Sequence, residues 1–529
     1  MTPDAQAPRL TTRGQMTRRT MLSTAAAAGI ALAAGRRLGP GAAAALAAPR
    51  RGGTLRVGWV PNAHTLDPRY SVDWAERHVM YGIYNTLVAA TSSFDIAPEL
   101  ARSWKFSPDG LAVTLQLQPN VKFHDGTACD AAAVKWNLDF ILDAQNNSPQ
   151  RKALDPFIAA VEAPEPGTVV LRLKKRYAGL LAVLTERPGF IVSPAASQQY
   201  GKDLGRHPVG TGMYQFVEWL SDDHVTLKRF DGYWERGKPY LDGITFKVVP
   251  DPAVRDTMVR TGELDITSQP APSDVAGLEK SPGVKIVSEN PGGRWWATQW
   301  RVDRPPFNNK ALRQAIAYGI NRQEFVKVVL NGRGVPAKGP TSPAVWWYDR
   351  GIKGYPYDPD RAKKLLAEAG YANGFQADFA VDNTTPTLQF AQLLKAQLER
   401  INVTITINPV NPADLYDEQL AQKVNWSRTD WSVRSDPGAL ARILFYTGNY
   451  ANSTGYSTPA VDKLLDQGDE TYERAARKKI YSQIEQMVIE DAPYLWFFYV
   501  PSDAPMRSQV ENYVRIPDDV PRFRELWLA

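Results

Sequence analysis

Apolar and polar positions alternate in "GGTLRVGW" (52–59), which predicts a short strand with Leu55 and Val57 on one face. The same two-residue period recurs in "VTLQLQ" (113–118), "VVLRLK" (169–174), "HVTLKRF" (224–230) and "VTITINPV" (403–410). Between these strands the period lengthens to that of amphipathic helices. "DPDRAKKLLAEAGY" offers Asp358 as N-cap, Pro359 at the first helical position and Gly370 as the stop. "TPAVDKLL" repeats the device with Thr458 and Pro459. The stretch 474–490 places Ile480, Ile484, Met487 and Val488 on one stripe and ends before Pro493. Strands and helices interleave without internal repeats, so the class is mixed α/β. At 529 residues the chain is too long for one core, and two or more lobes are expected.

The first 48 residues break this pattern. Arg18-Arg19 precede "MLSTAAAAGIALAAG", an Ala-rich run too short and too weakly apolar for a stable membrane span. Ala45-Leu46-Ala47, followed by Ala48, supplies the small side chains that signal peptidase needs. The order resembles a twin-arginine export signal, cleaved near Ala47, delivering a periplasmic protein. No cysteine follows the run, so a lipid anchor is not expected.

Charge sharpens the reading. The formal net charge is +6, but residues 1–48 carry six Arg against Asp4 alone, which leaves the remainder close to neutral. Such a balance argues against nucleic-acid binding. The single cysteine, Cys129, excludes an intrachain disulfide and a Cys-based metal cluster, and a buried, inert thiol is expected. The histidines, at 64, 78, 124, 207 and 224, show no i, i+4 ligand pair. Gly-x-Ser-x-Gly, His-Glu-x-x-His and P-loop motifs are missing. "GRGVPA" (332–337) approximates a dinucleotide-binding glycine pattern but follows a helix and contains Pro336. No enzyme constellation emerges, and neither a cofactor nor a resident metal is expected. A hydrolase with an acid such as Asp436 as base is the alternative of a different class.

Longer stretches carry more. "GGTLRVGWVPNAHTLDP", "APELARSWKFSPDGLAVTLQLQPNVKFHDGTACDAAAVKWNLD" (97–139), "PVGTGMYQFVEW", "LKRFDGYWERGKPYLDGITFKVVPD", "PPFNNKALRQAIAYGINRQ", "YDPDRAKKLLAEAGY" and "STGYSTPAVDKLL" follow one another in order. Together they resemble the peptide/nickel-type family 5 of extracytoplasmic solute-binding proteins of ABC importers, over nearly the whole chain after Gly52. Two departures stand out: Met213 where the family usually has Pro, and Arg301 where an Asn is common, the latter expected to alter ligand contacts.

The resemblance implies a two-lobed periplasmic-binding-protein-like fold (type II, cluster C-like) with an inserted subdomain. Lobe I would comprise 49–88, 207–290 and 501–529, its insertion 89–206, and lobe II 291–500. The implied function is capture of a short peptide or peptide-like solute between hinged lobes and delivery to an ABC permease in the inner membrane, by a monomer exported through the twin-arginine machinery. Nickel, haem or another non-peptide solute is the runner-up. By the same resemblance, "DWSVRSDP" (430–437) is a cleft-facing loop of lobe II. Arg434 there would offer a planar five-donor fork to an anionic group, most simply a carboxylate. The alternative is a local ion pair with Asp430 or Asp436, or a solvated loop charge. Arg187, in "TERPGFIVSP", is a second candidate cation. Trp431, Asp436, Tyr84 and His64 border the implied cleft. In "GGRWWATQW" an extended backbone would turn Trp295 and Trp296 to opposite faces, and Trp296 is the candidate for stacking on ligand.

Overall fold

The structure is a computed structural model, which describes residues 49–59, 63–449 and 451–529. The expected export signal lies outside the described residues. Among the described residues, three sheets of four or six strands are packed with helices. The first sheet runs Thr54–Trp59, Gly243–Val248, His224–Arg229, Tyr214–Leu220, with the first pair parallel and the others antiparallel. The alternation predicted for 52–59 appears as buried Leu55 and Val57, which join Val225, Leu227, Ile244 and Phe246 in one core. The helix Trp74–Ile83 packs on this core. Its start is fixed by a capping box: Asp73 accepts from Ala75, and Glu76 reaches back to the Asp73 backbone N–H.

The second sheet is antiparallel, in the order Ala101–Phe106, Ala112–Leu117, Thr168–Leu173, Ile158–Glu165. Val113, Leu115, Val169 and Leu171 point one way and meet Val134, Leu138 and Ile141 of the helix Ala131–Leu142. Cys129 is buried in this core, and burial pushes its thiol well above the ordinary range, which keeps it protonated. His124 is held by the Gly212 carbonyl at 2.9 Å, and burial lowers it to about 4.

The third sheet has six strands in the order Val335–Pro336, Tyr494–Tyr499, Arg294–Trp300, Trp426–Ser432, Phe375–Asp382, Val403–Val410. Both faces are covered. Trp295 enters one core with Leu444, Ile484 and Val488, and Trp296 enters the other with Leu312, Phe390 and Leu398. Tyr494–Tyr499 is buried along its whole length, as a central strand with two covered faces must be.

Two connections link the third sheet to the rest. Val284–Glu289 leads into Arg294–Trp300, and Tyr494–Tyr499 leads back into Ser502–Arg507, which pairs antiparallel with Val284–Glu289. Met506 and Val57 both bridge to Ile266, so the returning chain rejoins the first sheet. The helix starts fall where the sequence puts them, at Pro359 and Pro459, although Thr458 makes no side-chain cap hydrogen bond. Met213 is buried in the first core. Arg301 pairs with Asp303 and donates to the Ser453 carbonyl, so its guanidinium is satisfied within its own neighbourhood. No helix among the described residues is long and apolar enough to cross a membrane.

Candidate functional site

The loop after Trp426–Ser432 meets the segment 180–187. Ser435 Oγ lies 3.0 Å from Thr185 Oγ1 and 3.4 Å from the Ala182 carbonyl. Arg434, the residue before Ser435, donates through Nη1 to Oε2 of Glu186, the residue after Thr185, at 3.3 Å. Glu186 Oε2 also accepts from Arg77 Nη1, at 3.2 Å, on the helix Trp74–Ile83. Burial pushes the Glu186 carboxyl up, but Arg434 and Arg77 outweigh it and hold it below its ordinary value.

Arg187 completes the group. It is buried, and its guanidinium meets the Ser71 hydroxyl at 2.9 Å and the Asp73 backbone carbonyl rather than a carboxylate. Burial, then repulsion from Arg77 and Arg434, lowers its pKa to about 10. Three arginines therefore converge where Glu186 is the shared carboxylate. Arg77 has a second acid at 3.7 Å, Asp518, which is itself paired with Arg522 at 2.8 Å. Arg522 lies over the Tyr81 ring, 3.5 Å from its centroid. Beside this seam is a cavity of about 300 Å³ walled in part by Tyr81, Tyr84, Thr185, Ile516, Arg522 and Phe523.

A glycine sets the geometry of the segment. A Cβ on Gly189 would lie 1.9 Å from the Leu184 carbonyl oxygen, so only hydrogen fits there. That tight turn presents Glu186 and Arg187 side by side.

The other expected residues occupy distinct positions. Asp436 caps the helix Pro437–Phe445 through the Gly438 N–H at 2.8 Å and takes a two-pronged ion pair from Arg477 at 2.5 and 2.8 Å. Asp430 is taken by Arg294 and Arg428. Trp296 is buried, with the Arg428 guanidinium 3.9 Å from its ring centroid and Phe498 packed against it. Trp431 is half-buried against the Trp295 side of the sheet. The Tyr84 hydroxyl donates to the Leu66 carbonyl at 3.0 Å, and its ring lines the 300 Å³ cavity. His64 is exposed, and its backbone N–H donates to Glu76, which accepts from Ser71, the hydroxyl that receives Arg187. The structure thus gathers Arg434 and Arg187 directly, and ties His64 to them through hydrogen bonds.

Glu186, Arg77, Asp518 and Arg522 were not expected. Glu186 adjoins Arg187, which was a usable hint. Arg77 sits in a helix whose other residues carry no site signal, and nothing local marks the tail residues.

Residues 95–453 match the family described as bacterial extracellular solute-binding proteins, family 5 Middle. The glutathione-binding protein GsiB of Escherichia coli O1:K1 / APEC is 33% identical over 445 residues, covering 82% of this chain and 86% of its own. Among solved structures, the ABC transporter-associated periplasmic binding protein DppA from Helicobacter pylori, in complex with peptide STSA, superposes with a TM-score of 0.84 at 26% identity. It covers 90% of this chain and 98% of its own. The binding protein AgaA in complex with agropinic acid, from A.tumefacien R10, gives 0.81 at 26% identity over 90% and 99%. This chain therefore belongs to family 5 of the bacterial extracellular solute-binding proteins, and it has their two-lobed α/β fold.

Proposed function

We propose that this protein captures a short peptide or peptide-like solute bearing a carboxylate and passes it, chemically unchanged, to an ABC permease. One observation carries the reading: Arg187 is a buried cation without a carboxylate of its own, beside Arg77 and Arg434, with Glu186 shared between the latter two. A buried cation held by neutral acceptors is costly, and a ligand carboxylate lowers that cost. The relatives that carry glutathione, the peptide STSA and agropinic acid support the same ligand chemistry. Because polar groups in a cleft need water when it is open and ligand when it is closed, capture follows from hinge closure. The lobe assignment is 49–88, 207–290 and 501–529 for lobe I, 89–206 for its insertion and 291–500 for lobe II. Separate buried clusters support it, with Phe190, Val192, Ala196 and Leu204 of the insertion packed in the lobe I core and Leu87 and Val88 in that of the insertion. Export through the twin-arginine route to the periplasm, with cleavage near Ala47, and a monomeric state belong to the same reading.

Titration calorimetry on the mature chain with Ser-Thr-Ser-Ala, with glutathione, and with the C-terminal amide of each tests it. The free acids are expected to bind at least about tenfold more tightly than the amides, and Arg434→Gln and Arg187→Gln to erase the difference. Equal binding of acid and amide would sink the carboxylate assignment. Recovery of shortened peptide would instead indicate a hydrolase.

A further inference from the structure

We infer that Phe94, at the tip of the hairpin 88–98, is a bolt that holds the two lobes closed in a detectable fraction of molecules before any solute binds. The inference rests on the lobe assignment and the hinge closure proposed above.

The hairpin has a geometry that suits a different residue. Val88–Ala90 pairs antiparallel with Ile96–Pro98, and the Thr91 N–H donates to the Asp95 carbonyl at 2.9 Å, which leaves the loop 92–94. Loops of this length end on a left-handed residue, where glycine fits best. Phe94 takes that place, at φ 58. A bulky side chain there is strained, and a hairpin tip ordinarily stands in water, yet Phe94 is only 3% exposed. Its ring stacks on Trp347, centroids 6.4 Å apart at 20°, and shares one buried cluster with Val345, Val433 and Ile516. Trp347, Val345 and Val433 belong to the stretch 291–500 and Phe94 to 89–206, so opening the hinge carries the ring into water. The burial that offsets the strain lasts only while the lobes are together.

The seam continues outward from the tip. Asp95 pairs with Arg474 at 2.8 Å, and the Arg474 guanidinium lies 4.1 Å from the Trp346 ring centroid. Nearby, Tyr472 crosses to the insertion. Its hydroxyl donates to the Gly110 carbonyl at 3.2 Å, and its ring meets Phe106 edge-on, centroids 4.8 Å apart. The Ala178 N–H donates to the Asp469 carbonyl at 2.6 Å. Asp95 and Arg474 are both half exposed, so that ion pair contributes little, and the apolar contacts of Phe94 and Tyr472 carry the seam. Neither Phe94 nor Tyr472 borders the 300 Å³ cavity. This part of closure is therefore common to every solute: it adds to retention without adding to selection.

Single-molecule fluorescence energy transfer on the mature chain, with dyes on Glu165→Cys and Glu399→Cys, tests the bolt without a solute. Both positions are exposed, one in the insertion and one in lobe II, and Cys129 is buried away from the dyes. The otherwise wild-type chain is expected to show a closed and an open population. Phe94→Gly suits the turn and removes the ring, and it is expected to lower the closed-to-open ratio about tenfold. Trp347→Ala removes the seat of the bolt from the other lobe and is expected to do the same. A residue with a purely structural role would lower the melting temperature and leave the ratio where it was. The bolt is overturned if the wild type shows no closed population, or if its ratio persists in whichever of the two variants folds. Saturating Ser-Thr-Ser-Ala is expected to close wild type and variants alike. If it closes none of them, the peptide reading falls, and the solute-free ratio still decides the bolt.

Discussion

The Glu186 carboxylate lies 3.3 Å from the Arg434 guanidinium, although the two residues are 248 positions apart in the chain. This pair joins the segment 180–187 to the loop that follows the third sheet's strand Trp426–Ser432. It also gives the arginine cluster an internal anion where a ligand carboxylate is proposed to go. Under the proposed function a solute carboxylate competes with Glu186 for Arg434.

Glu186→Gln separates the two roles. Removing one partner of a largely buried ion pair takes the Glu186 charge away from Arg434 and from Arg77, which keeps Asp518 at 3.7 Å. The variant is expected to melt at a lower temperature than the wild type. Ligand should restore it, because a carboxylate then meets three arginines without a competitor. In thermal-shift measurements the rise in melting temperature on adding Ser-Thr-Ser-Ala should be larger for the variant than for the wild type. A smaller rise would mean that Glu186 helps to hold the solute.

Gly189→Ala probes the turn that presents this pair. The new methyl group would lie 1.9 Å from the Leu184 carbonyl oxygen, well inside contact distance, so the turn must open. Glu186 and Arg187 would move with it. Affinity for Ser-Thr-Ser-Ala is expected to fall about tenfold or more, since an ångström of misplacement disrupts charge-assisted hydrogen bonds. Unchanged affinity in a folded variant would show that the turn has slack.

What could be read from the sequence was local. The strand Val403–Val410 and the opposite facings of Trp295 and Trp296 follow from a two-residue period that needs no tertiary knowledge. The Asp-Pro helix start visible at Asp358 holds equally at Asp436, where it gives the carboxylate a structural task. The partners were not legible. Arg477 reaches Asp436 from 41 residues away, and Arg522 and Asp518 enter from a tail that carries no motif. Charge pairing is decided by how helices and loops pack, and one chain's spacing does not encode it.

Asp436→Asn tests that structural task. Asp436 and Arg477 are each about 6% exposed, and the pair is two-pronged. Neutralising the acid leaves a buried guanidinium and weakens the cap on Pro437–Phe445. A loss of roughly 3–5 kcal/mol is expected in chemical denaturation. The adjoining Arg434 should hold its position in the liganded protein, so solute affinity measured well below the melting temperature should change less than threefold. A large affinity loss with little stability loss would assign Asp436 to the ligand instead.

Glu485, buried and accepting from the Thr341 N–H at 3.4 Å, links stability to pH. Its pKa rises from 4.5 to about 8 on folding, chiefly through burial, so the folded chain keeps a proton that the unfolded chain releases. The stabilisation from the neutral acid is complete below pH 4.5 and is lost as pH climbs through 8. Over that window the wild type should lose stability on the order of a few kcal/mol from this group. Glu485→Gln keeps the shape and the acceptor for the Thr341 N–H but cannot ionise. The variant is expected to melt above the wild type at pH 8, with the gap closing toward pH 4.5. A gap that stays constant across this range would mean that the carboxyl is ionised in the fold.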